Sequence, residues 1–481
     1  MKKTKTETSS HVRIEKEKAY EVADFLFALG NEFLRIKNMG AAFDSFKYSL
    51  DLNPKKHASV YNLGVLYTLN KNNEGAYMMF NRAHEMMPDD VTTEIALAES
   101  ARKIGKIEES RKLLAHLLDI DRSNYMVLSA MAILMYDEGD IAEAQRYNHL
   151  ALTRKPDDPL MNLNRTLVAM MYGNWADEWP HYEYFLSYRQ NERMKQHKIE
   201  KSWYGQECEG QTLLVVSDQG SGDAIQFSRF LIEAKRKGNF AKLVYLVQPD
   251  LKSLLTQVEG VDEVIAFGER MELEHDQFSS LLGIMRVLKV SPDTCHRPPN
   301  IVAEARLVDK WRYRIGAPGE ELKVGIVWAG DPLHGNDHAR SISIDKLAPL
   351  FNTEGAKFYS MQVGKAIEQL GALDIKIEEL GSDFRSFADT AAAIECLDLI
   401  ISCDTSVAHL AGCMGKACWV LVPNPPEWRW LMNTDETYWY EDNFLIFRQD
   451  KPRDWRSVVD RVKEELKSRI ASHRIQVLTL Q

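Results

Sequence analysis

The run Asp404-Thr405-Ser406-Val407-Ala408-His409 lies between two apolar runs, Leu399-Ile400-Ile401 and Trp419-Val420-Leu421-Val422, and supplies a carboxylate, two hydroxyls and an imidazole. The pattern predicts strand, turn, helix and strand. Asp404-Thr405-Ser406 suits a helix N-cap, and helix formers run from Val407 to Met414 before Gly415. In an open parallel sheet, ligands lie beyond the carboxyl ends of the strands. A helix N-terminus placed there offers unpaired N–H groups and partial positive charge, so a phosphate is the natural guest. The same residues also read as an ordinary cap followed by a packed histidine, and the rest of the chain has to decide between the two.

Two other segments end strands in polar groups. In Ser217-Asp218-Gln219-Gly220-Ser221-Gly222-Asp223, Gly220 and Gly222 permit a tight strand-to-helix turn with close backbone approach. The third glycine of a dinucleotide fingerprint is missing. Asp223 reads either as a favourable helix cap, contributing roughly 0.3–1 kcal/mol, or as a general base that takes a proton from a hydroxyl. Trp328 to Ser341 is the other polar stretch, and in it Arg340 and Ser341 precede Ile342-Ser343-Ile344. A guanidinium there suits bidentate contact with phosphate oxygens. His334, Asn336 and His338 are read as solvated or substrate-facing. The two histidines are four residues apart, but the stretch around them is not helical, so a metal pair is disfavoured. After the last strand, Pro423 to Met432 could wall a pocket. Trp428 or Arg429 is expected at its edge, and Trp430 is expected to pack between lobes.

These segments need elements to hold them, and 481 residues with 45% apolar content provide for several cores. A net charge of −10 and a pI near 5.8 argue against general affinity for nucleic acid or anionic membranes. Residues 1–17 lack the apolar core of a signal peptide and are expected as a flexible tail. No apolar run reaches bilayer length. The six cysteines show no zinc-site spacing, so reduced thiols in the cytoplasm are expected.

Pro54, Pro88 and Pro156 fall at multiples of a 34-residue spacing, with Arg122 at the remaining position. That period is the tetratricopeptide signature. Leu29-Gly30, Leu63-Gly64, Leu97-Ala98 and Met131-Ala132 share one slot, Ala42, Ala76, Ser110 and Ala144 a second, and Phe46, Phe80 and Leu114 a third that Asn148 breaks. Residues 18–156 are therefore expected as four repeats stacked in a solenoid, and 157–200 as a capping hairpin with a charged connector, Arg189 to Lys198. The concave side of such an array is usually a binding surface; holding the rest of the protein, or oligomerisation, is the plainer use. From Thr212 the period changes to short apolar runs between helical patterns, the mark of an α/β sheet. Leu213–Val216, Leu243–Val247 and Val264–Phe267 are expected in a first lobe, residues 201–315. Val324–Trp328, Lys357–Met361, Leu399–Ile401 and Trp419–Val422 are expected in a second, residues 316–481, closed by an amphipathic helix over 454–466.

Taken together, Trp175-Ala-Asp-Glu-Trp179, Gln219-Gly-Ser-Gly-Asp-Ala-Ile-Gln-Phe227, Trp328-Ala-Gly330, Asn336-Asp-His-Ala-Arg-Ser-Ile342, Asp404-Thr-Ser-Val-Ala-His-Leu-Ala411 and Pro426-Glu-Trp-Arg-Trp430 resemble a bacterial family. In it, tetratricopeptide repeats precede a GT-B glycosyltransferase domain related to the family 9 heptosyltransferases. The resemblance implies an α-solenoid followed by two Rossmann-like α/β lobes and an inverting, metal-independent transfer from a nucleotide-sugar to a hydroxyl. Asp404, Thr405, Ser406, His409, Arg340 and Ser341 would bind the donor; Ser406 stands where the family typically carries glycine. Asp223 would be the base, with Gly220, Gly222 and Gln226 beside the substrate. No cofactor is implied, and the only Asp-x-Asp noted, Asp119-Ile120-Asp121, lies in the repeats. The repeats would present a protein or glycan acceptor. A non-catalytic scaffold and a lipopolysaccharide or capsule transferase are the alternatives.

Overall fold

A computed structural model of the protein describes residues 4–183, 201–269, 274–332, 334–373 and 375–480. The chain divides into two compact units, Met1–Asp158 and Pro159–Gln481.

The first unit is built of antiparallel helix pairs: Thr4–Arg35 with Met39–Leu52, His57–Leu69 with Asn73–Met86, Val91–Lys103 with Ile107–Ile120, and Tyr125–Asp137 with Ile141–Arg154. Helix begins at Thr4, inside the stretch expected as a tail; Glu15-Lys16-Glu17-Lys18 are good helix formers that extend the first repeat backwards. The 34-residue period has a steric cause in the first two pairs. A Cβ on Gly30 would come within 2.6 Å of the Phe46 ring, and one on Gly64 within 2.7 Å of the Phe80 ring. Each ring thus occupies the space where a side chain on the facing helix would be. In the later pairs that slot holds Ala98 and Ala132, and the facing residues are Leu114 and Asn148 in place of a ring.

The second unit opens with the helices Pro159–Met171 and Trp175–Glu183. The expected connector, Arg189 to Lys198, lies outside the described residues. A four-stranded parallel sheet follows: β1 Thr212–Val216, β2 Lys242–Val247, β3 Glu263–Ala266 and β4 Gln277–Ser280, in the order β3-β2-β1-β4. The second sheet is also parallel and six-stranded: β5 Leu322–Val327, β6 Ala356–Ser360, β7 Ile377–Glu379, β8 Leu399–Cys403, β9 Cys418–Val422 and β10 Phe444–Arg448. Its order is β10-β9-β8-β5-β6-β7. β5, β8 and β9 are buried along their whole length, as strands covered by helices on both faces must be.

One boundary shifts. The helix Ala305–Ile315, expected in the first lobe, packs on the second: Trp311 Nε1 and Lys310 Nζ both reach Asp389 Oδ1, at 3.0 and 2.8 Å, in the helix Phe387–Glu395. The last helix, Arg456–Leu480, sends Val458, Val459, Val462, Leu466 and Ile470 into the core of the second sheet. No helix of the described residues is long and apolar enough to cross a membrane, and all six cysteines are unpaired.

Aromatic packing joins the opening helices to both lobes. Trp175 stacks on Trp439 at 5.0 Å and meets Trp428 edge-on at 5.2 Å, while Trp179 donates from Nε1 to the Val290 carbonyl at 2.6 Å. Trp179 is fully enclosed. Trp179→Ala is expected to destabilise this unit by about 3–5 kcal/mol, read as a lower urea midpoint of its unfolding transition.

Candidate functional site

In each sheet the strand order reverses at one point, between β1 and β4 in the first and between β5 and β8 in the second. A crevice opens at such a switch point, beyond the carboxyl ends of the strands. β1 feeds the helix Ser221–Phe227, β8 feeds the helix Ser406–Cys413, and β5 feeds the loop that carries Arg340.

The two helices pack against each other across the lobes. A Cβ on Gly222 would lie 3.1 Å from His409 Cδ2 and 3.4 Å from the Ser406 Cα. Gly222 is therefore spent on helix approach and does not open a face to a substrate. Gly220 donates its N–H to Asp223 Oδ2 at 3.0 Å, which closes the turn.

Thr405 stands at the N-cap of the helix Ser406–Cys413, but its side chain does not cap it. The Thr405 hydroxyl turns instead to Ser402 Oγ at 2.9 Å. The first amides of that helix are thus left without a capping side chain, contrary to the ordinary-cap reading. Asp404, Thr405 and His409 are almost enclosed, at 7, 8 and 6% exposure. Arg340 Nη1 donates to the Asp404 carbonyl at 3.1 Å. Its guanidinium also covers Gly330, where a Cβ would meet Arg340 Nη2 at 2.5 Å. Ser341 ties the loop rather than facing the crevice: its Oγ accepts from Gly330 N–H at 2.9 Å and donates to Asp337 Oδ1 at 2.7 Å.

His409 is held as a neutral imidazole. Its Nδ1 pairs with the Tyr440 hydroxyl at 2.7 Å, its ring stacks on Trp430 at 5.5 Å, and its Nε2 lies 3.9 Å from Asp404 Oδ1. Burial first, then the charges of Arg429, Arg229 and Arg340, pushes its pKa well below the usual value. The positive charge at this end of the crevice comes from Arg340 and the helix amides, not from His409.

His334 and His338 are exposed on the β5 loop, and the Asn336 N–H reaches His334 Nδ1 at 3.2 Å. Although His334 keeps an exposed surface, crowding of the ring and then Arg340 lower its pKa, while Asp404, Asp337 and Asp223 act in the opposite sense. His334 is thus within electrostatic reach of both sides of the crevice. Among the described residues, no three His, Cys, Asp or Glu side chains group as a metal site.

Trp428 is not a pocket edge. It is fully buried, with Trp175, Trp179 and Tyr182 around its ring. Arg429 is 8% exposed, and each of its side-chain nitrogens is engaged: Nε donates to Gln226 Oε1 at 2.7 Å, Nη1 to Glu427 Oε1 at 2.6 Å, and Nη2 to Asp223 Oδ1. Gln226 is wholly buried and serves this contact. The sequence reading missed Glu427, whose signal was a carboxylate two residues before an arginine just past a strand end. Burial pushes its carboxyl up to about 7, Arg429 works against that, and Asp404 adds to it. Arg229 was missed as well; it reaches from the first lobe to the Trp439 carbonyl at 2.8 Å and to Cys413 Sγ at 2.7 Å.

No protein-family profile matches the chain. The chain is 25% identical to the protein FlbA of Caulobacter vibrioides over 368 residues, 71% of this chain and 61% of FlbA, so it spans less than two thirds of that relative. Among solved structures, E. coli ADP-heptose LPS heptosyltransferase II aligns over 54% of this chain and 99% of its own, with 14% identity and a TM-score of 0.41. A tetratricopeptide repeat protein from Parabacteroides merdae aligns over 35% of this chain and 66% of its own, with 16% identity and a TM-score of 0.29.

Two tests follow from the geometry. Gly330→Ala is expected to push the Arg340 guanidinium off the Asp404 carbonyl with the fold intact, so stabilisation by added pyrophosphate, read by thermal shift, falls below that of the wild type. His409 gives a pH test. Its folded-state pKa is depressed, so below about 6.5 the unfolded chain binds more protons than the folded one. The His409 contribution to stability is complete above about 6.5 and is lost as the pH falls below it. Melting temperatures taken from pH 8 to pH 5 are expected to drop more steeply for the wild type than for His409→Gln.

Proposed function

We propose that this protein is a glycosyltransferase that moves a sugar from a nucleotide-sugar donor to an acceptor hydroxyl with inversion. The observation that carries the reading is the uncapped N-terminus of the helix Ser406–Cys413, set at the β5/β8 switch point with Arg340 fixed beside it. Unpaired amides, a helix dipole and a guanidinium are the groups a leaving diphosphate requires. In this reading Asp404, Thr405 and Ser406 shape the turn that receives the phosphates, and His409 packs beneath it as a neutral support. The Ser406 amide serves as a glycine amide would.

Asp223 stands on the opposing helix and takes the proton as the acceptor oxygen attacks the anomeric carbon. The bond from that carbon to the phosphate oxygen breaks on the far side, and the nucleoside diphosphate leaves with its electrons. Attack opposite the leaving group inverts the centre. The repeat array supplies the surface for a large acceptor, a protein or a glycan.

A second reading, a scaffold whose lobes bind nucleotide-sugar without turning it over, is favoured by one observation: Asp223 has one oxygen on the Gly220 amide and the other on Arg429. Activity separates the two. UDP-, GDP-, ADP- and CMP-linked sugars are to be screened by thermal shift, since a ligand bound only by the folded state at a hundred times its Kd stabilises by about 2.7 kcal/mol. Turnover of whichever donor binds is then expected to fall by roughly 10²–10⁴-fold in Asp223→Asn, in a chain that still folds. Binding without turnover supports the scaffold, and a chain that stabilises with none of the donors sinks both readings.

A further inference from the structure

Arg429 and its carboxylates form an arrangement that the transfer reading does not yet use. The guanidinium lies between the Trp428 and Phe227 rings, with centroids at 4.4 and 5.3 Å. Glu427 accepts from the guanidinium through Nη1 at 2.6 Å, and its other oxygen accepts from the Arg429 backbone N–H at 2.9 Å. Asp223 meets it from the other lobe through Nη2, and Gln226 fixes Nε. One enclosed cation therefore serves two carboxylates carried by different lobes. Neither acid is closed off, since the side chains of Asp223 and Glu427 remain 22 and 28% exposed.

We propose that Arg429 is a positioning residue for Asp223, and that the charge on Glu427 sets how firmly Arg429 holds it. The proposal rests on the transfer reading in which Asp223 is the base. With Glu427 ionised, the guanidinium is shared between two anions, and Asp223 is held less firmly and can turn its carboxylate to the acceptor hydroxyl. With Glu427 protonated, Arg429 serves Asp223 alone, and the carboxylate stays on the guanidinium. The controlling proton comes from solvent onto a Glu427 oxygen and never reaches the substrate.

The groups that face Glu427 are few. Arg429 lies on its own loop, Asp404 on the turn after β8, and Tyr182 on the helix Trp175–Glu183. Tyr182 is held protonated by burial. Beyond Arg429, His334 lies within reach of both Asp223 and Asp404 and is pushed towards its neutral form, as is His409 beside Arg429. The change of charge at this junction near neutral pH thus belongs to Glu427, whose carboxyl is pushed up to about 7.

The test compares the wild type with Glu427→Gln and Arg429→Lys over the neutral pH range. Wild-type kcat is expected to rise through about pH 7. Glu427→Gln, which fixes the protonated charge state without changing shape, is expected to lose that rise and to run roughly tenfold slower at high pH, with donor KM unchanged. Arg429→Lys is expected to retain part of the rate that Arg429→Met loses. Superimposable pH profiles for the wild type and Glu427→Gln overturn the proposal.

Stability gives a readout independent of turnover. The folded carboxyl binds its proton more tightly than an unfolded one with a pKa of about 4.5, so its contribution is complete below that value and is lost as the pH rises through about 7. That slope in melting temperature is expected to vanish in Glu427→Gln, and the change is expected to be non-additive with Asp223→Asn. Additive slopes overturn the shared guanidinium whatever the activity. Non-additive slopes in a chain that transfers nothing leave the coupling standing and sink only the transfer reading.

Discussion

The buried guanidinium of Arg429 is the constraint around which the second unit is arranged. A cation removed from water is costly unless its hydrogen-bonding capacity is met, and the loss of one partner leaves charge uncompensated. Arg429 meets that demand with Asp223 and Gln226 from the first lobe and Glu427 from its own loop. The relative placement of two strand ends, β1 and β9, is therefore fixed by one side chain. Arg229 adds a reciprocal contact from the first lobe to the carbonyl of Trp439 and the thiol of Cys413. Fixing the strand ends fixes the crevice, because the helices that leave β1 and β8 touch at Gly222 and Ser406.

Much of this was legible in the sequence where the physics is local. Strands buried on both faces must be apolar runs, and Leu213–Val216, Leu243–Val247 and Leu399–Ile401 announce themselves for that reason. The polar turns at their ends were equally visible. β4 was not, because Ser279 and Ser280 make it look like a turn; Ser280 needs its hydroxyl to cap the helix Leu281–Leu288 through Gly283 N–H. β7 is three residues long and carries two glutamates. Phe444 to Arg448 is apolar enough to have been read as β10 and was passed over.

The roles of side chains were less legible because they depend on distant partners. Asp223 and Arg429 are 206 residues apart, and no local pattern says that one will hold the other. Trp428 and Arg429 are neighbours in the chain, yet one packs among Trp175 and Trp179 while the other crosses to the first lobe. The repeats show the opposite case. Gly30 with Phe46 and Gly64 with Phe80 are pairs of complementary volume inside single hairpins, so periodicity alone reveals them.

The indole cluster has a consequence for how far the two lobes can separate. Trp175 and Trp179 touch Trp428 and Trp439 on the second lobe, while Trp179 also reaches Phe227 and the Val290 carbonyl on the first. Each such ring buries roughly 150–250 Å², and at about 25 cal/mol per Å² even partial exposure of several costs many kcal/mol. A hinge that swung the lobes apart would have to strip these faces bare, and thermal motion will not supply that. On the segment after β5, by contrast, Asp331, Pro332, His334, Gly335 and His338 are exposed to water.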